Sequence, residues 1–119
     1  MTEFTAYHVP SDGEQPIVKI TRTEGFTLDE MQDVVGGYIE GLFKVPNPET
    51  NEYDGQWVMV INEEGYRIDL PTNRRITVLL RQLVVGDVLI MQNELFDKTT
   101  HLNMKGETWN TYQMMSDQT

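Results

Sequence analysis

A run of apolar residues, WVMVI at residues 57–61, constrains the fold of this chain more than any other stretch. The run is too short for a buried helix and does not alternate with polar residues, so it is typical of a strand buried on both faces. Turn-forming residues bound it on both sides, in the polar loop 46–56 and the turn 62–65. The sequence therefore predicts a sheet with at least one interior strand.

Residues 26–37 carry the clearest helix signal. Thr27 and Glu30 have the spacing of a capping box, in which each side chain bonds to the other residue's main-chain N–H. Gly36 follows the apolar positions and can take the left-handed conformation that ends a helix. The apolar positions lie on one helical face: Leu28, Met31, Val34 and Val35.

Alternation and turn residues suggest the remaining elements. Strands are expected at residues 17–23, 38–45 and 66–70, and a strand pair or one bent strand at residues 83–92. A second helix is expected between the last two of these segments, with Thr72 or Asn73 as its cap. The order β-α-β-β-(α)-β favours an α+β fold. We expect a small mixed or antiparallel sheet with one or two short helices packed on one face.

The length of 119 residues fits a single domain, residues 1–119. Residues 1–16 are polar and hold two prolines, which suggests an N-terminal arm. Residues 17–92 form the expected α+β core. Residues 93–119 are expected to be a C-terminal extension and a candidate subunit contact.

The net charge of −10 argues against binding to nucleic-acid polymers, which requires a basic face. The chain has no cysteine, which fits a cytoplasmic protein, and it has no apolar run long enough to span a membrane. We also expect no signal peptide at the N-terminus. The acidity suggests either solubility or a surface that imitates the charge of DNA.

The sequence shows no motif of an enzyme. It contains no phosphate-binding loop, dinucleotide fingerprint or nucleophile elbow, and His8 and His101 lack metal-ligand spacing. We therefore expect a non-enzymatic protein with no cofactor and no metal site.

Positive charge gathers around residues 62–81, and Arg74 and Arg75 are its centre. Guanidinium groups form paired hydrogen bonds with phosphate. If a helix begins near Asn73, its free N–H groups face the same anion, and Thr72 adds a hydroxyl. The alternative is that both arginines pair with neighbouring acids such as Asp69.

Aromatic residues are the second group of candidate ligand contacts. Tyr38, Tyr66 and Trp109 could stack on a nucleobase. Trp57 lies inside the apolar run, so core packing is the better interpretation of that residue.

Four segments in one order resemble a small uncharacterised domain family found in bacteriophages and other mobile elements: VGGYIEGLF, VINEEG, LPTNRR and VVGDVLIM. The resemblance covers residues 17–92 and implies a phage origin. By analogy with phage counter-defence proteins, we expect a sponge that sequesters a cyclic nucleotide immune signal, most plausibly a cyclic dinucleotide. Such a protein is expected to act as a homo-oligomer in the host bacterial cytoplasm. The alternative is an acidic inhibitor or DNA mimic that blocks a host defence protein.

Overall fold

The computed structural model describes residues 2–103, which form one five-stranded sheet and three helices. The strands lie in the order β2-β1-β5-β4-β3, and every neighbouring pair is antiparallel. The α+β class is thus confirmed. The elements are β1 (Phe4–Val9), β2 (Val18–Arg22), α1 (Leu28–Val35), β3 (Ile39–Val45), β4 (Trp57–Asn62), α2 (Arg74–Leu80), β5 (Val88–Gln92) and α3 (Asn93–Asn103).

The first strand corrects the prediction of an N-terminal arm. β1 pairs with β2 on one side and with β5 on the other, so it lies inside the sheet. Its residues Phe4 and Ala6 are buried on one face, and Tyr7 and Val9 are buried on the other. The polar composition of residues 1–16 misled the prediction because the polar residues gather after Val9, in the loop that leads to β2.

The interior strands bury both of their faces, as the WVMVI run predicts. Every residue of β4 is buried. Alternate residues of β4 and β5 contribute to two separate apolar clusters, one on each side of the sheet. Helices α1 and α3 cover one cluster, and α2 covers the other. The prediction that the helices pack on one face was therefore wrong, because an interior strand that is apolar on both faces needs cover on both sides.

Helix α1 forms as its sequence predicts. The Thr27 hydroxyl accepts from the Glu30 N–H, and the Glu30 carboxylate accepts from the Thr27 N–H, which completes the capping box. Gly36 ends the helix in the left-handed conformation, with φ of 82°. Arg22 of β2 donates to the Glu30 carboxylate and so ties the helix to the sheet.

Residues 66–70 form turns, and the strand predicted there is wrong. The Arg67 and Ile68 N–H groups both donate to the Glu64 carbonyl, which curls the chain away from the sheet. Asn62 fixes the start of this turn, since its amide donates to Val35 and its oxygen accepts from the Glu64 N–H. The alternation of Tyr66 and Ile68 is not matched by burial, because both side chains are about half exposed.

The extension predicted at residues 93–119 begins with a helix. In α3, Leu95 and Phe96 are buried against the sheet. The helix packs closely on the loop before α1, where the Phe26 N–H donates to the Thr99 hydroxyl at 3.0 Å. The part of the extension after residue 103 lies outside the described residues.

Candidate functional site

Asn73 determines where α2 begins. Its side-chain oxygen accepts from the Ile76 N–H, so Asn73, rather than Thr72, is the N-cap of the helix. Its amide nitrogen donates to the carbonyls of Val9 at 3.0 Å and Gly86 at 3.1 Å. Asn73 is fully buried, and both amide hydrogens are used inside the protein. The residue thus joins α2 to β1 and to the loop before β5, and it has no amide hydrogen left for a phosphate.

Arg75 holds the loop between β1 and β2. Its guanidinium donates to the main-chain oxygens of Gln15 at 2.6 Å, Pro10 at 2.7 Å and Asp12 at 3.1 Å. Neither sequence-based interpretation describes this arrangement, because the acceptors are carbonyls of the chain rather than a phosphate or a carboxylate. Arg75 therefore orders residues 10–15 against the start of α2.

Arg74 differs from its neighbour. It is exposed, and it makes no hydrogen bond or ion pair with any residue of the described range 2–103. It lines an open groove of about 420 Å³ between α2 and the loop 46–56. Apolar side chains make up most of the groove wall: Ile17, Pro48, Ile76, Val78 and Leu79. The arrangement is an available cation beside an apolar groove.

The other predicted contact residues do not gather around Arg74. Thr72 is exposed, and its main chain forms an isolated bridge with Val85. The Tyr66 hydroxyl donates to the Leu83 carbonyl, which follows the far end of α2. Tyr38 lines a separate depression of about 240 Å³ near Asn62 and Ile68. Trp109 lies outside the described residues.

Sequence reasoning missed an aromatic pair beneath the loop 46–56. The rings of Tyr7 and Trp57 lie 5.5 Å apart between centroids. The Tyr7 hydroxyl donates to the Glu49 carboxylate at 3.1 Å. Burial, followed by the contact with Glu49, raises the pKa of the Tyr7 phenol. The signal was present in the aromatic and β-branched residues of segment 4–9, but the polar residues after it concealed the strand.

The indole N–H of Trp57 is buried and has no acceptor among the described residues. An unsatisfied buried donor destabilises a fold by about 1–3 kcal/mol. The feature is therefore unfavourable for folding, and the apolar surroundings of Trp57 offer no compensating bond.

The carboxyl groups with shifted pKa values include those of Glu63 and Asp87. Burial, then the charges of Glu40 and Glu64, raise the pKa of Glu63, which follows β4, whereas Glu40 lies on β3. Burial also acts to raise the pKa of Asp87. The Ser11 N–H and the His8 ring, 2.8 Å from the carboxylate, outweigh that effect and hold the pKa below its usual range.

The described residues contain no group of three or more potential side-chain ligands that could hold a metal ion. Within the same part of the chain, no helix has the length and apolar character needed to cross a bilayer.

The fold and the site define a small α+β domain with one available arginine beside an apolar groove. The chain belongs to the family described as a domain of unknown function, DUF3846, which it matches over residues 4–113. This match confirms the resemblance to an uncharacterised family and extends it at both ends, to include β1 and the region of α3. No curated protein and no solved structure shows significant similarity to the chain.

Proposed function

We propose that this protein is a non-enzymatic binding protein for an anionic small molecule, with a cyclic nucleotide as the first candidate. The observation that carries the proposal is the position of Arg74, an exposed guanidinium without a protein partner in the described range, on the wall of an apolar groove. A guanidinium binds a phosphate through charge-assisted hydrogen bonds, and an apolar wall accepts the planar part of a nucleotide.

The number of unpaired arginines on the groove wall bears on the ligand. One Arg74 matches one phosphate, whereas a cyclic dinucleotide carries two. Two copies of the groove related by a twofold axis match the twofold symmetry of such a ligand. The proposal therefore includes a homo-oligomer that binds one cyclic dinucleotide between two chains.

The biological setting is also a proposal. A phage origin, action in the host bacterial cytoplasm and sequestration of an immune signal rest on the motif resemblance and on the analogy with counter-defence sponges. They are compatible with a binding groove that has no enzymatic motif beside it.

Calorimetric titration with cyclic di-AMP, cyclic di-GMP and cyclic AMP tests the proposal. We expect binding of a dinucleotide with one ligand per two chains. Arg74→Ala should weaken binding about tenfold or more, because a hydrogen bond to a charged group contributes about 1.5–3 kcal/mol. Arg67→Ala is the matched control, since Arg67 is an exposed arginine outside the groove.

Two results contradict the proposal in different ways. If none of the three nucleotides gives heat, the cyclic nucleotide proposal is wrong. If one of them binds and Arg74→Ala binds it equally well, the ligand class stands but the groove is not its site.

A second candidate function is an acidic inhibitor that occupies a basic site on a host protein. The observation in its favour is the cluster of Glu40, Glu63 and Glu64, whose mutual repulsion raises the pKa of Glu63 after the effect of burial. Such a surface should bind a labelled lysine-rich peptide, and salt should weaken the binding. Glu40→Gln/Glu63→Gln should reduce that affinity, whereas Asp29→Asn/Asp33→Asn on α1 should not.

A further inference from the structure

Two aromatic rings lie beneath the loop 46–56. Trp57 and Tyr7 contact each other in the apolar cluster on the α2 face of the sheet. Only 6% of the Trp57 surface is exposed, and its indole N–H has no acceptor among the described residues. A buried donor without an acceptor is a rare arrangement, and a ligand that accepts its hydrogen bond is one way to satisfy it.

The loop above these rings is held mainly by hydrogen bonds between its own residues. Residues 49–54 are exposed, and the Asn47 side chain accepts from the N–H groups of Glu49 and Thr50. The Tyr7 hydroxyl links this part of the loop to the sheet, since it donates to the Glu49 carboxylate and also contacts the Asn47 side chain. Removing the Glu49 carboxylate therefore weakens the hold of the sheet on this part of the loop.

The loop 46–56 also borders the groove of Arg74. Pro48 and Asn51 of the loop line the groove, so movement of the loop changes the groove wall. Ile76 also lines the groove and belongs to the same apolar cluster as Tyr7 and Trp57. Ile76 therefore connects the groove to the cluster that holds the two rings.

We propose that the loop 46–56 covers a ring-binding subsite whose hydrogen-bond donor is the indole N–H of Trp57. The ligand is a planar ring that bears a hydrogen-bond acceptor and is joined to an anionic group, as in a nucleotide. Its ring packs against Tyr7 and Trp57 while its anion binds Arg74. The contact between the anion and Arg74 rests on the proposed function. The ring-binding subsite beneath the loop goes beyond that function.

Opening of the loop can be tested without a ligand. The sequence contains two tryptophans, so in a Trp109→Phe background the fluorescence reports on Trp57 alone. Glu49→Ala removes the acceptor of the Tyr7 hydroxyl. We expect acrylamide quenching of Trp57 to rise at least about twofold, because the lifted loop becomes more populated.

Glu52→Ala is the matched control, since it removes a carboxylate from the same exposed loop and leaves the Tyr7 contact in place. It should leave the quenching unchanged. If Glu49→Ala shows the same quenching as the Trp109→Phe protein from which it is made, the proposed subsite is wrong. It is also wrong if quenching rises equally in both variants, because the effect then does not come from the Tyr7 contact.

Titration with cyclic di-AMP gives the second readout. Binding should change the Trp57 emission, and Glu49→Ala should bind about two- to fivefold more tightly, because a larger fraction of the protein is already open. Binding with unchanged emission and unchanged affinity in Glu49→Ala overturns the subsite and leaves the proposed function standing. If cyclic di-AMP, cyclic di-GMP and cyclic AMP all fail to bind, the proposed function is overturned, and the quenching comparison decides the subsite by itself.

Discussion

The guanidinium of Arg75 donates a 2.7 Å hydrogen bond to the main-chain oxygen of Pro10. Together with the bonds to Asp12 and Gln15, this contact fixes the loop that follows β1 against the first turn of α2. Both arginines line the groove, but Arg74, the preceding residue, makes no hydrogen bond or ion pair with the described residues. The two adjacent arginines therefore have different roles. Arg75 bonds to the main chain of the fold, and Arg74 is exposed to solvent.

The first prediction separates these two roles. Arg75→Ala should lower the free energy of unfolding by about 2–3 kcal/mol, because three carbonyls lose a charged donor. Arg74→Ala should change it by no more than about 0.5 kcal/mol, as is usual for an exposed side chain without partners. Urea denaturation followed by circular dichroism measures both. Equal stabilities of the two variants would refute the structural role of Arg75.

The second prediction concerns Asn73, where aspartate is normally an equally good N-cap. Asn73→Asp keeps the oxygen that caps α2, but it places a second oxygen against the carbonyls of Val9 and Gly86. We expect a loss of about 3 kcal/mol or more at neutral pH, because the second oxygen of a buried carboxylate then faces two carbonyls and has no donor. Thr72→Ala, at the exposed neighbouring position, is the control and should be nearly neutral. A stable Asn73→Asp variant in thermal unfolding would contradict this account.

Local chemistry made part of the structure predictable. The capping box of Thr27 and Glu30 acts within one helical turn, and the cap at Asn73 acts across three residues. Strand β4 was also predictable, because its apolar residues must be buried whichever parts of the chain pack on them. In these cases the pattern that predicts the element lies among residues next to each other in the sequence.

The candidate site depended on contacts that the sequence does not display. Arg75 finds its acceptors 60 or more residues earlier in the chain, so no neighbouring residue indicates its role. The same is true of Tyr7, which meets Glu49 across 42 residues. The strand predicted at residues 66–70 was wrong for a different reason. The alternation around Tyr66 is compatible with a strand, but the hydrogen bonds to the Glu64 carbonyl form turns.

The third prediction is a pH dependence at Asp87. Its pKa in the folded protein lies below the usual value of about 3.9, because bonds from Ser11 and His8 outweigh the effect of burial. The resulting stabilisation is fully present above the unfolded pKa and is lost as the pH falls through the folded one. Asp87→Asn should therefore be less stable than wild type at pH 7, by about 0.5–1 kcal/mol after allowance for partial exposure.

That difference between wild type and Asp87→Asn should shrink as the pH falls below about 4. Denaturation curves at a series of pH values measure it. Asp33→Asn, on the exposed side of α1, serves as the control and should show no such trend. A difference that stays constant down to acid pH would mean that the Asp87 charge does not stabilise the fold.

The fourth prediction tests the contact between α3 and the loop before α1. A Cβ atom on Gly25 would lie 2.6 Å from the main-chain N and Cα of Thr99, and a side-chain rotation cannot relieve a clash with main-chain atoms. Helix α3 must therefore shift, which also strains the bonds that Thr99 and Asn103 make with Phe26. Gly25→Ala should lose about 2–3 kcal/mol of unfolding free energy.

Gly13→Ala is the control for this prediction, because no atom lies within 4 Å of a Cβ at that position. Its stability should stay within about 0.5 kcal/mol of wild type, since an added methyl group there meets only open space. Thermal unfolding of the two alanine variants gives the comparison. If Gly25→Ala unfolds at the same temperature as Gly13→Ala, α3 does not pack on this loop as closely as the structure shows. In that case the cover that α3 gives to the sheet would have to come from Leu95 and Phe96 alone.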